Sequence, residues 1–211
     1  MKVLIACEYS GRVRDAFLDK GLDAISADIL PTEKKGPHYQ GDVRDILYED
    51  WDMIIAFPPC TYLSKAGARW MYPKGNLNHE RYRKALKAKE FFMLFYDHPC
   101  KKICIENTQQ MKIMKMPKRS QYVQPWMFGH TYTKSTWLWL KGLPPLKETL
   151  NVKKETFDKP PKERLYMWNL PETKDRARIR SATPIGLARA MADQWSGYES
   201  RQTQLFAMAE Q

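Results

Sequence analysis

The stretch 2–28 limits what this chain can fold into more than any other. Residues 2–7 (KVLIAC) are a short apolar run rich in β-branched side chains, the pattern of a strand buried on both faces. Residues 8–11 (EYSG) read as a turn. Val13, Phe17 and Leu18 then recur at helical spacing, which predicts a helix over 12–20 with Gly21 as its stop. Residues 23–27 (DAISA) read as a second strand that ends at Asp28. Strand, glycine turn, helix, strand and acid in this order outline a nucleotide-binding βαβ unit. The helix start offers free N–H groups to a ligand, and Asp28 offers acceptors to ribose hydroxyls. The full GxGxxG is absent.

The rest of the chain extends this pattern. Residues 31–40 (PTEKKGPHYQ) are a polar loop, and 41–43 (GDV) begin another unit. Residues 53–56 (MIIA) form a strand that stops at Pro58 and Pro59, because proline cannot continue a ladder. Cys60 follows, at the carboxyl end of that strand, where open α/β sheets bind ligands. A basic, aromatic loop spans 65–79, and the longest predicted helix spans 80–97. A strand over 102–105 has Glu106 and Asn107 at its end, 111–116 is loop or short helix, and 135–140 (STWLWL) is a strand. Proline and lysine then crowd a partly irregular, basic insertion at 141–180. A last helix spans 184–195, with Thr183 as N-cap and Pro184 at its first position. The expected division is one domain, 1–140 with 181–198, interrupted by the insertion and followed by a tail at 199–211. Its fold class is α/β: a Rossmann-like, mostly parallel twisted sheet with helices on both faces.

Charge points to a partner. There are 35 Lys and Arg against 24 Asp and Glu, a net charge of +11, which suits a polyanion such as nucleic acid. Arg69, Trp70, Tyr72 and Lys74 share one loop and are candidate nucleic-acid contacts, whereas Trp137 and Trp139 read as core. Cys7, Cys60, Cys100 and Cys104 form no CxxC pair and no disulfide framework. With no run long enough to span a membrane and no signal peptide, the expectation is a reduced, cytoplasmic chain. Cys100 and Cys104 with His98 and His130 match no standard zinc spacing, so no metal is expected.

Four short elements carry a family resemblance: SG at 10–11, GD at 41–42, PPCTYLSKAG at 58–67 and IENT at 105–108. In this order they resemble the DNA (cytosine-5) methyltransferases, which carry a glycine-rich first motif, an acidic motif, a Pro-Cys motif and a Glu-Asn-Val motif. The helix at 183–195 stands where the family's last motif closes the cofactor pocket. The resemblance implies S-adenosylmethionine as cofactor and DNA as substrate. It implies that Cys60 attacks C6 of cytosine and so makes C5 nucleophilic, that Glu106 bonds or protonates N3, and that Asn107 orients Glu106 or the Cys60 loop. It places Tyr9, Ser10 and Gly11 at the methionine end of the cofactor, Asp28 at the ribose and Asp42 at the adenine amine, with Glu8 and Pro59 also on the cofactor side.

The chain departs from the family at three points. Arg12-Val13-Arg14 replaces the second glycine of the first motif, Glu-Asn-Val is Glu-Asn-Thr, and no clear Gln-x-Arg-x-Arg motif occurs. Lys134, or the run 176–180 with Arg178 and Arg180, is the candidate substitute for that last motif. The insertion is much shorter than a target-recognition domain, a compactness that resembles phage-borne members. Single-stranded and short-motif DNA are both open as substrates. Two other readings stay open. One is an amino-methyltransferase acting on adenine N6 or cytosine N4, although Phe57 precedes the prolines where those enzymes place Asp or Asn. The other is a catalytically silent DNA-binding protein that kept the fold.

Overall fold

A computed structural model describes residues 1–197. The strands are β1 (Lys2–Ala6), β2 (Asp23–Asp28), β3 (His38–Gln40), β4 (Met53–Ala56), β5 (Ile103–Asn107), β6 (Gln121–Val123) and β7 (Thr136–Lys141). The α-helices are α1 (Arg12–Leu18), α2 (Ala68–Met71), α3 (His79–Tyr96), α4 (Lys153–Asp158), α5 (Pro161–Arg164), α6 (Tyr166–Asn169), α7 (Asp175–Ser181) and α8 (Ile185–Trp195). One seven-stranded sheet runs in the order β3-β2-β1-β4-β5-β7-β6. The first five strands in that order are mutually parallel, while β7 runs antiparallel to both β5 and β6. This is the expected Rossmann-like α/β class, with its order reversing between β1 and β4.

Period-two alternation builds a core on each face. Val3, Ile5, Met53 and Ile55 point to one side, where Val13 and Phe17 of α1 and Leu187, Met191 and Trp195 of α8 cover them. Leu4, Ala6, Ile54 and Ala56 point to the other, against Phe92 and Phe95 of α3. Because β1 and β4 are covered on both faces, their sequences are continuous apolar runs. Asn78 starts α3 by accepting the Arg81 N–H at 3.0 Å.

Several boundaries differ from expectation. The first strand stops at Ala6, since Cys7 takes a left-handed φ of 58°. Helix α1 ends at Leu18 rather than residue 20. The polar loop at 31–40 hides β3, an edge strand of three residues, too short to show an apolar period although Tyr39 packs against the core; β6 is equally short and equally silent in the sequence. Glu106 and Asn107 lie within β5, paired with Leu138 and Trp137, rather than beyond it. The insertion holds α4 to α7, each of seven residues or fewer, too short to show periodicity in sequence. Pro184 is the N-cap of α8, not its first residue: its ψ of 133° is extended and its carbonyl accepts the Ala188 N–H at 3.0 Å, with no side-chain cap from Thr183. Trp139 is buried and Trp137 half-buried, as core residues. The expected tail at 199–211 lies outside the described residues. Among the described residues no helix is long and apolar enough to cross a membrane.

Candidate active site

The order reversal sets β1 and β4 side by side, and the loops leaving their carboxyl ends open the cleft. The Phe57 N–H donates to the Ala6 carbonyl at 2.9 Å, so the two loops diverge from one point. Residues 7–11 follow β1 and residues 57–60 follow β4; Glu106 and Asn107 reach the same edge on β5.

On the β1 side, Glu8 is buried. Its Oε1 accepts from the Ser10 hydroxyl and, at 3.0 Å, from the Arg12 N–H that opens α1. Its Oε2 is buried with no partner among the described residues. Burial pushes the carboxyl above its ordinary range. Gly11 sits at φ 72°, and a Cβ there would stand 2.5 Å from Nη2 of Arg14. Arg14 is fully buried. It occupies the space above the turn, donating to Thr32 Oγ1 at 3.1 Å and to the Lys34 carbonyl at 3.0 Å. The guanidinium thus pins the 32–35 loop over the start of α1. Tyr9 joins the same lid, its carbonyl accepting from Glu33 N–H at 2.8 Å and its hydroxyl meeting Ser181 Oγ at 3.0 Å.

Two carboxylates complete this side. Asp28 Oδ1 accepts from the Leu30 N–H at 2.9 Å, and partial burial raises its pKa. Asp42 caps a 3₁₀ turn and is gripped by the Arg44 guanidinium, which brings it down to about 2. The Cys7 thiol is pushed far up by burial, and the charges of Asp28 and Asp42 add to the rise, so all three gather at one place. Ile29, beside Asp28, is 74% exposed. An apolar side chain next to a carboxylate is what a nucleoside needs. The residues therefore fit a cofactor with an ammonium and a ribose: Glu8 and Asp28 keep acceptor atoms, and Gly11 keeps the turn low. Asp42 fits only after Arg44 releases it. Both members of that ion pair are solvent-exposed, so the exchange costs little.

On the β4 side, Cys60 is the exposed cysteine; Cys100 and Cys104 are buried. Pro59 is exposed and Pro58 buried. The Cys60 carbonyl accepts the Leu63 and Ser64 N–H groups at 3.0 and 2.9 Å, a tight turn that aims the thiol. Asn107 Nδ2 donates to the Pro58 carbonyl at 2.8 Å. Its Oδ1 accepts from Gln110 Nε2 at 2.7 Å and Thr108 N–H at 3.0 Å. Lys65 N–H donates to the Gln109 carbonyl at 2.7 Å and Met111 N–H to that of Leu63 at 2.9 Å. The loop carrying Cys60 is thus laced to the segment after β5. Asn107 is positioned to orient the loop.

Electrostatics tie Cys60 to its neighbours. Protein packed around the thiol raises its pKa, and Glu106 raises it further; Lys134 and Arg180 pull it down. Glu106 is itself raised by burial and pulled down by Lys134. The thiol after β4 therefore feels a carboxyl from β5 and two cations, one from the segment before β7 and one from α7. Lys134 and Arg180, the expected substitutes for the Gln-x-Arg-x-Arg motif, both act electrostatically on the Cys60 thiol. Arg178 points elsewhere, to Asp175 at 3.0 Å and Glu33 at 3.3 Å, so its charge is already engaged. Arg69 stacks on Trp70 at 3.9 Å, and Lys74 is exposed at φ 52° in the turn after α2.

Four contributors escaped sequence reading. Cys7 and Ile29 flank the acid positions, and Arg81 donates to the Thr61 carbonyl at 3.0 Å beside Cys60. Trp168 lies 5.4 Å from the Arg180 guanidinium. For Arg81 and Trp168 no local signal existed, because their partners are remote in the chain. Among the described residues no cluster of His, Cys, Asp and Glu could hold a metal ion.

The chain matches no family model and no curated protein sequence. Among solved structures it is similar to an E. coli prophage-encoded protein provisionally described as a DNA modification methyltransferase. That similarity has a TM-score of 0.43 at 15% identity, covering 76% of this chain and 56% of the other. The chain thus spans little more than half the length of that protein.

Proposed function

We propose that this chain is an S-adenosylmethionine-dependent DNA methyltransferase that modifies C5 of cytosine through a covalent adduct on Cys60. The observation that carries this reading is an exposed thiol, Cys60, on a loop that Asn107 ties to β5, the strand that also bears the half-buried Glu106, whose carboxyl favours its proton and acts on the thiol. Cytosine C5 is a poor nucleophile. Sulfur adding at C6 while Glu106 donates its proton to N3 places an enamine at C5. Bound S-adenosylmethionine supplies the methyl group. Loss of the C5 proton to water, return of the N3 proton to Glu106 and departure of the Cys60 sulfur from C6 then restore the aromatic ring. Lys134 and Arg180 stabilise the thiolate before attack, and Asn107 holds the turn that aims it.

On the cofactor side, Glu8, Tyr9, Ser10 and Gly11 take the methionine end, Asp28 the ribose, Asp42 the adenine amine, and Pro59 lines the boundary with the base. Residues 1–140 with 181–198 are then the catalytic unit, and 141–180 a compact basic insertion. Phe57 has no side-chain acceptor for a target amine, which weighs against amino-methyl transfer. The test is mass spectrometry after incubation with S-adenosylmethionine and DNA containing 5-fluorocytosine, whose C5 substituent cannot leave as a proton. An adduct on the peptide bearing Cys60 is expected. Cofactor binding with no adduct would sink the cytosine-5 reading; neither adduct nor cofactor binding would favour the silent DNA-binding protein.

A further inference from the structure

Two half-exposed indoles each stand one arginine away from the nucleophile. Trp70, in α2, is 50% exposed and lies 3.9 Å from the Arg69 guanidinium and 5.6 Å from that of Arg81. Arg81 in turn holds the Thr61 carbonyl, one residue past Cys60. Trp168, in α6, is 54% exposed, with the Arg180 guanidinium 5.4 Å from its ring; Arg180 also acts on the Cys60 thiol. The two indoles are nearly 100 positions apart in the chain (168 − 70 = 98), so no local repeat produced the pairing.

An indole left half in water forfeits much of the burial that makes tryptophan valuable to a fold. Here that exposure occurs twice, each time beside a guanidinium that in turn holds the Cys60 loop or acts on its thiol. Around Trp70 the surface is concave, a cavity of about 310 Å³ lined by Tyr62, Arg69, Trp70, Arg81 and Lys84, among others. Aromatic faces beside guanidinium groups suit a strand whose bases are unstacked: the ring takes the base and the cation takes the phosphate. A duplex hides its base faces in its own stack and offers an indole only edges and backbone.

On the reading of Cys60 as a base-attacking nucleophile, we propose that Trp70 and Trp168 are stacking platforms for unpaired bases near the target cytosine, and that the preferred substrate is single-stranded DNA. Neither residue is a catalytic residue, since neither needs to touch the reacting atoms.

The test is fluorescence anisotropy of one end-labelled oligodeoxynucleotide, free and annealed to its complement, at one fixed salt concentration. The single strand is expected to bind at least about tenfold more tightly than the duplex. Trp70→Ala and Trp168→Ala should each weaken single-strand binding by roughly tenfold, with little effect on the duplex, while Trp70→Phe and Trp168→Phe keep most of it. The Phe variants guard against a folding defect. Equal or tighter duplex binding, or alanine variants that bind like the parent, would overturn the proposal. Binding needs no turnover, so the two readings separate. Indole-dependent single-strand binding without a 5-fluorocytosine adduct removes the cytosine-5 reaction and leaves the stacking sites. An adduct on duplex DNA with indole-independent binding does the reverse.

Discussion

Asn107 Nδ2 donates to the carbonyl oxygen of Pro58 at 2.8 Å, joining the end of β5 to the turn that carries Cys60. Both residues are buried, so the bond has no competing water. Asn107 also accepts two hydrogen bonds on its other atom, from Thr108 N–H and Gln110 Nε2. The amide is needed as donor and acceptor at once. Asn107→Asp keeps the shape but loses the donor, and Asn107→Ala loses both. Each should cost about 1–3 kcal/mol in chemical denaturation. Each should also slow 5-fluorocytosine adduct formation by more than tenfold. Full adduct yield in Asn107→Ala would show that the loop is aimed by something else.

The charge environment of Cys60 makes a signed prediction for its alkylation by iodoacetamide. Glu106 disfavours the thiolate, while Lys134 and Arg180 favour it. Glu106→Gln should move the alkylation profile to lower pH. Lys134→Met and Arg180→Met should move it to higher pH, above the already raised parent value. A profile that ignores all three changes would mean that none of them acts on the thiol.

Glu8 carries a buried carboxylate oxygen without a partner among the described residues. Its folded-state pKa is raised, so its contribution to stability is fully present at acid pH, below the ordinary carboxylate value, and is lost as pH rises through the folded value. Glu8→Gln does not titrate. The variant should be more stable than the parent at neutral pH, by on the order of 1 kcal/mol, and the gain should vanish on acidification. If Glu8 holds the cofactor ammonium, the same variant binds S-adenosylmethionine more weakly by calorimetry. Stability falling at neutral pH would mean that the carboxylate is satisfied in solution.

Arg14 tests the lid over the glycine turn. Its guanidinium donates to the Ser26 and Thr32 hydroxyls and to the Lys34 and Lys35 carbonyls, and pairs with Asp15. Arg14→Met keeps the apolar stem and strands those acceptors. A loss of about 3 kcal/mol is expected, with proteolytic cleavage appearing first in the 32–35 loop. Cleavage elsewhere would show that the loop stands without the arginine.

Much of the fold was legible because its central strands are buried on both faces. Burial demands unbroken apolar runs, and the runs at β1 and β4 stop where the chain turns at Cys7 and at Pro58. Edge strands carry no such demand, so β3 and β6, three residues each, left no trace. The short helices of the insertion were lost for the same reason: fewer than two turns cannot display a period.

The candidate site divides along the same line. Cys60, Glu106 and Asn107 could be named from their places at or near strand ends, since chain order alone brings strand ends to one edge of a parallel sheet. What those residues meet there could not be named. Strand order sets β4 beside β5 and so brings Asn107 to Pro58, and the antiparallel β7 brings Lys134 back toward Cys60. Arg14 filling the space above Gly11, and Arg180 acting on the thiol from α7, depend likewise on packing between segments far apart in the chain. Apolar periodicity is a local property, encoded residue by residue through the need to exclude water. The pairing of one charge with another is a long-range property, and only the closed tertiary structure decided it.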